Sequence, residues 1–118
     1  MTVRLGILAM LEAKAGAGDK LAAFLEAGRE IAVAEEGTVT WYAFKISDTT
    51  YGILDTFETE DARNTHLNGQ IPVALGQVAG ELLASDPDIK LIDILAVKLR
   101  SRGCGRCPQA SARIRVDA

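Results

Sequence analysis

The segment 38–58, TVTWYAFKISDTTYGILDTFE, constrains the fold more than any other part of the chain. Two runs of β-branched and aromatic residues flank a polar turn at 47–50, the pattern of a β-hairpin. A loop centred on Asp48 and Thr49 sets Ser47 against Thr50. Tyr42 is then expected opposite Asp55, Phe44 opposite Ile53, and Trp41 opposite Thr56. Alternation puts Thr40, Tyr42, Phe44, Ile46, Tyr51, Ile53, Asp55 and Phe57 on one face. Val39, Trp41, Ala43, Gly52, Leu54 and Thr56 fall on the other. Both faces are apolar, whereas an antiparallel sheet covered by helices on one side ordinarily shows the other to water. The helix-free face is therefore expected to pack on a second copy, giving a homodimer through the sheet face that carries Trp41.

The flanking segments supply the other elements. Val3–Ala13 reads as a strand with apolar residues on both sides, bounded by KAGAG. The period then changes: Leu21, Phe24, Leu25, Gly28, Ile31 and Ala32 share one face of a helix, which Gly37 stops. Thr59 is placed to cap a second helical region, with Glu60 and Asp61 in its first turn and Gly69 at its end. Pro72 suits the first turn of a further helix running to about Ala84. The breaker SDPD precedes a last strand, Ile89–Leu99. The order β-α-β-β-α-β predicts an α+β, ferredoxin-like fold with a four-stranded antiparallel sheet.

At 118 residues and 48% apolar composition the chain is expected to form one domain, residues 1–99, followed by a basic tail, 100–118. The net charge of −3 conceals an asymmetry: −7 over residues 1–99 and +4 over the tail. An acidic body argues against nucleic acid as a partner. Glu12 interrupts the only apolar run that resembles a signal peptide, and no stretch reaches the roughly 20 apolar residues of a membrane span. A soluble, cytoplasmic protein without a membrane partner is expected. The tail holds Cys104-Gly-Arg-Cys107, a C-x-x-C motif with no further element after it. It reads as a neutral extension, a redox or disulfide site, or part of a metal site shared between chains.

The chemistry concentrates on few residues. His66 is the only histidine, one turn after Ala62 on the helix that covers the hairpin. A carboxylate such as Asp55 within an apolar face is costly unless bonded. It is either satisfied structurally by the Tyr42 hydroxyl or a backbone N–H, or it forms the polar spot of an apolar pocket, where it can exchange protons with a substrate. His66 is either a helix-rim residue or enters the same pocket. A single histidine without nearby carboxylates at i+3 or i+4 is poor support for a metal. GAGDK lacks the final glycine of a dinucleotide loop, so a flavin or nicotinamide is not expected.

The chain resembles the antibiotic biosynthesis monooxygenase (ABM) family. The resemblance rests on Glu36-Gly37, Trp41-Tyr42, Asp55-Thr56-Phe57, Ala62 and His66 in order, and on the closing ELLASDPDIKLIDILAVKL. It covers about residues 3–99 and implies a ferredoxin-like subunit that pairs through its sheet into a dimeric α+β barrel. It also implies a cofactor-independent oxygenase, in which a quinol or hydroxyaromatic supplies the electrons and molecular oxygen is the co-substrate. The haem-degrading branch is not expected, because Phe57 stands where that branch has Trp, 73–83 holds no histidine, and the first strand has no Asn. On this reading Tyr42, Asp55 and His66 position and deprotonate a small aromatic substrate against Phe44, Ile53 and Phe57. The alternatives are a non-catalytic binding or oligomerisation module of the same fold and an isomerase-type proton-transfer enzyme.

Overall fold

The structure, a computed structural model, describes residues 3–100. Its elements are β1 (Leu5–Glu12), α1 (Gly18–Ala34), β2 (Thr38–Lys45), β3 (Thr50–Phe57), α2 (Glu60–Leu67), α3 (Gln70–Leu82) and β4 (Asp88–Asp93). The strands form one antiparallel sheet in the order β2-β3-β1-β4. This is the expected ferredoxin-like α+β arrangement, with the second helical region divided at Gly69. The Thr59 hydroxyl accepts the Ala62 N–H and starts α2 as expected, and Glu60 and Asp61 occupy its positive end. None of the described helices is long and apolar enough to cross a membrane.

The two central strands carry the core. Ile7, Ala9 and Leu11 of β1 lie opposite Asp55, Ile53 and Tyr51 of β3. Ala9, Leu11, Tyr51 and Ile53 pack with Leu21 and Leu25 of α1 and Leu75 and Leu82 of α3. Each helix thus buries one apolar stripe against the same sheet face. At the start of β2, Gly37 meets α2: a Cβ there would lie 2.9 Å from the Ala62 Cβ. Two minimal side chains let the strand pass close under the helix.

The hairpin register differs from the expected one by a single residue. Trp41 lies opposite Asp55, Tyr42 opposite Leu54, Ala43 opposite Ile53 and Phe44 opposite Gly52. The turn is the cause. Ile46 and Ser47 both donate their N–H to the Thr50 carbonyl, and the Ser47 Oγ accepts the N–H groups of Thr49 and Thr50. The loop is longer than the two residues expected, and a shift of one residue turns the β2 side chains from Thr40 to Lys45 to the opposite face, while an irregularity between Thr38 and Thr40 leaves Thr38 opposite Phe57. Tyr42 and Phe44 consequently lie on the helix-free face. Trp41 lies on the helix side, where its ring comes within 3.5 Å of a Cβ placed at Gly28 of α1. The expected sheet interface carrying Trp41 is thereby corrected: the aromatic residues of that face are Tyr42 and Phe44.

The helix-free face nevertheless remains apolar. Leu8 and Met10 of β1, Leu54 of β3, Phe44 and Ile92 are half-buried there, and Tyr42 is 54% exposed. The last strand is shorter than expected, ending at Asp93 rather than Leu99. Asp93 pairs with Leu5, the first residue of β1, so the antiparallel ladder has run out of partner strand. After the Ile94 N–H bond to Arg4, the chain leaves the sheet and Leu95 is 96% exposed. Cys104 and Cys107 lie outside the described residues.

Candidate functional site

Asp55 projects from the middle of β3 towards α2, with Ile7 on one neighbouring strand and Trp41 on the other. It is 1% exposed. His66 sits in the last turn of α2, one residue before the helix ends, and is likewise buried. Its Nε2 is 2.9 Å from Asp55 Oδ2. Its Nδ1 is 2.6 Å from Oε1 of Glu35, the residue that closes the C-terminus of α1. The Thr38 hydroxyl donates to that same Glu35 oxygen at 2.9 Å. Behind the imidazole, Phe57 packs with its ring centroid 5.4 Å away and its plane tilted by 48°.

One histidine therefore joins two carboxylates from different elements. A neutral imidazole carries one N–H, so it can donate to only one of them. Burial of the ring opposes its charged form, but hydrogen bonds and charges from Asp55 and Glu35 outweigh this and raise the His66 pKa above 6.5. The negative ends of α1 and α2 also meet here, and a cation is the charge that helix C-termini favour.

Beside the Asp55–His66 contact lies a cavity of about 260 Å³ between the sheet and the α2–α3 segment. Ile7, Ala9, Ile53 and Ile89 form its sheet side, and Leu67, Ile71, Pro72 and Leu75 its helix side. Asp55 and His66 are its only titratable lining groups among the described residues. Asp55 Oδ1 is buried and has no hydrogen-bond partner among the described residues. An apolar cavity with one carboxylate among its lining residues suits a small, largely apolar ligand that offers a hydroxyl or an acidic C–H. It disfavours an anionic one.

Of the residues singled out in the sequence, Asp55, His66 and Ile53 meet at this cavity. Phe57 does not line it; the side chain is fully buried and supports the His66 ring from behind. Tyr42 and Phe44 are excluded by the register and stand on the far side of the sheet. Asp55 is held by His66 rather than by a tyrosine hydroxyl. The residue that sequence reasoning missed is Glu35. Its one signal is a carboxylate at the end of a helix whose last turn has no basic residue, against the direction the macrodipole favours.

The raised pKa has a consequence for stability. The folded value lies above the unfolded one, so the stabilisation of protonated His66 is complete below about pH 6.5 and is lost as pH rises through the folded value. The urea midpoint of the wild type is expected to fall over that interval, and that part of the slope is expected to vanish in His66→Gln. A slope of equal size in the variant would show that another group controls it.

No protein-family model matches the chain, and no curated protein does. Among solved structures, a protein of unknown function from Nitrosomonas europaea is 42% identical, with a TM-score of 0.81 over 84% of this chain and 96% of that one. A protein from Pseudomonas aeruginosa, 19% identical, superposes with a TM-score of 0.70 over 81% of this chain and 98% of its own. A protein from Caulobacter crescentus, provisionally named an antibiotic biosynthesis monooxygenase, is 21% identical, with a TM-score of 0.63 over 80% of this chain and 92% of its own. The chain belongs to the same family as the 42% identical Nitrosomonas europaea protein, and its fold is that of the antibiotic biosynthesis monooxygenases.

Proposed function

We propose that the protein is a small oxygenase that oxidises a neutral quinol or hydroxyaromatic with molecular oxygen, without a metal or organic cofactor. The observation that carries this reading is the buried Asp55 carboxylate among the lining residues of an apolar cavity, with its Oδ2 on His66. The ring of the substrate lies against Ile7, Ile53 and Leu75, with its hydroxyl directed at the Asp55 carboxylate. Asp55 accepts the hydroxyl proton, and His66 offsets the charge. The resulting phenolate gives an electron to oxygen more readily than the phenol does. The ring supplies all four electrons that reduce the oxygen molecule. With a monohydroxyarene one oxygen atom becomes the second carbonyl of a quinone and the other leaves as water with the hydroxyl proton and the ring proton; with a quinol the inserted atom becomes a ring hydroxyl of the quinone, which keeps one of the three displaced protons while water takes two. A cavity near the lower end of the usual range for ligand sites, roughly 300–1,000 Å³, fits one or two fused rings better than a tetracycle.

The same carboxylate would serve a proton-transfer enzyme such as an isomerase, which consumes no oxygen. Oxygen uptake across a set of quinols and hydroxynaphthalenes separates the two. For an accepted substrate, Asp55→Asn and His66→Ala are each expected to lower the rate by roughly 10²–10⁴-fold, the usual contribution of a positioned base. Undiminished turnover in either variant contradicts the assignment.

We further propose that two copies pair through the helix-free sheet face, with Tyr42 and Phe44 towards the partner. Support comes from the half-buried apolar residues of that face, Leu8, Met10, Phe44 and Leu54, and from the exposed Tyr42 among them. Sedimentation is expected to give a dimer for the wild type and a folded monomer for Tyr42→Glu. A wild type that sediments as a monomer rules the pairing out.

A further inference from the structure

We propose that Glu35 is a positioning residue of this site: by holding the imidazole of His66 with both nitrogens as donors, it keeps Asp55 ionised at the cavity wall. The role deepens the functional reading above and rests on it for the use made of Asp55. It is carried by the placement of three side chains that the topology brings together from the end of α1, the centre of β3 and the end of α2.

Asp55 and Glu35 occupy unlike surroundings. The Asp55 side chain is 2% exposed and the Glu35 side chain 22%. Glu35 can lean on water for its charge, whereas among the described residues Asp55 has only His66. A carboxylate in an apolar wall stays charged when a neighbour supplies a positive charge, and otherwise takes up a proton. Whether His66 supplies it depends on the second nitrogen. With a carboxylate at Nδ1, the ring keeps both protons and donates Nε2–H to Asp55. With a neutral acceptor at Nδ1, one proton can reside on the Asp55 oxygen instead, and the pair becomes a neutral acid beside a neutral imidazole.

The surroundings fix Glu35 for this task. The Thr38 hydroxyl donates to Oε1, the oxygen that His66 also contacts. Oε2 runs beside Gly69, where a Cβ would lie 3.1 Å from it and 3.2 Å from the His66 carbonyl. The glycine between α2 and α3 thus leaves the slot through which the carboxylate reaches the ring. Among the described residues, the other elements around α2 bring no competing partner to the imidazole. On β1 and α3 the facing groups are Ile7, Ile71 and Leu75, and β2 brings the Thr38 hydroxyl. Arg63, one turn earlier on α2, turns its Nη1 to the carbonyls of Gly6 and Ile92.

The test uses the full chain without substrate. The ¹⁵N resonances of the His66 ring and the ¹³C resonance of the Asp55 carboxyl are followed against pH in the wild type, Glu35→Gln and Glu35→Asp. Glu35→Gln is expected to weaken proton binding by His66 about tenfold, one pKa unit being 1.36 kcal/mol. It is also expected to leave Asp55 protonated at a pH where the wild type has it ionised. Glu35→Asp, which keeps the charge but shortens the reach, falls between the two. Thr38→Val, which removes the hydroxyl that orients the carboxylate, shifts His66 in the same direction by less and serves if Glu35→Gln does not fold. Unchanged titrations of His66 and Asp55 in these variants, with only the melting temperature lowered, would reduce Glu35 to a staple between helices and overturn the proposal. Shifted titrations in a protein that consumes no oxygen with any hydroxyarene would leave the role of Glu35 standing and overturn the oxygenase reading.

Discussion

The buried contact between His66 and two carboxylates is the interaction on which the rest of the site depends. It ties α1, β3 and α2 together at one point, over 2.6 Å and 2.9 Å. It also gives the buried Asp55 carboxylate a hydrogen-bonded partner inside an apolar face. Removing one partner of such a group leaves the other buried and unbalanced, which costs more than the contact itself contributes. Asp55 thus reaches the cavity lining with one carboxylate oxygen already engaged by His66.

The fold delivers these residues by simple means. β3 is a central strand, so Asp55 is shielded by β1 and β2 on either side and by α2 above. The short α2 starts at the Thr59 cap and ends within two residues of His66, which fixes the height of the imidazole over the sheet. Gly37 and Ala62 allow β2 and α2 to approach, and Gly69 leaves room for Glu35. The aromatic residues have separate tasks. Phe57 backs the imidazole, Trp41 fills the space beneath α1, and Tyr42 and Phe44 dress the other side of the sheet.

Much of this is legible in the sequence. The change of hydrophobic period along the chain gives the order of elements, Thr59 and Pro72 mark the helix starts, and the position of His66 on a helix above the hairpin follows from that order. Asp55 stands out because it interrupts an apolar face. The register does not follow, because it depends on whether the Ser47 side chain takes the N–H groups of Thr49 and Thr50, a local bond that lengthens the loop and turns Tyr42 away from Asp55. Glu35 is hidden for a different reason. Its contact with His66 spans 31 positions and arises only when the end of α1 is laid against the end of α2. No period or motif encodes that contact; the unusual sign of a charge at a helix terminus is its only trace. The end of β4 depends in turn on where β1 begins, since a strand stops when its partner does.

The proposed oxygenation requires Asp55 to accept a proton from a hydroxyaromatic held in the cavity. This is read most directly from the emission spectrum of 2-naphthol bound to the protein under nitrogen, because the excited naphthol is acidic enough to hand its proton to a carboxylate in contact with its hydroxyl. Red-shifted naphtholate emission is expected in the wild type and the emission of neutral naphthol in Asp55→Asn. A bound probe with the neutral spectrum in the wild type, or an identical red shift in Asp55→Asn, would contradict it.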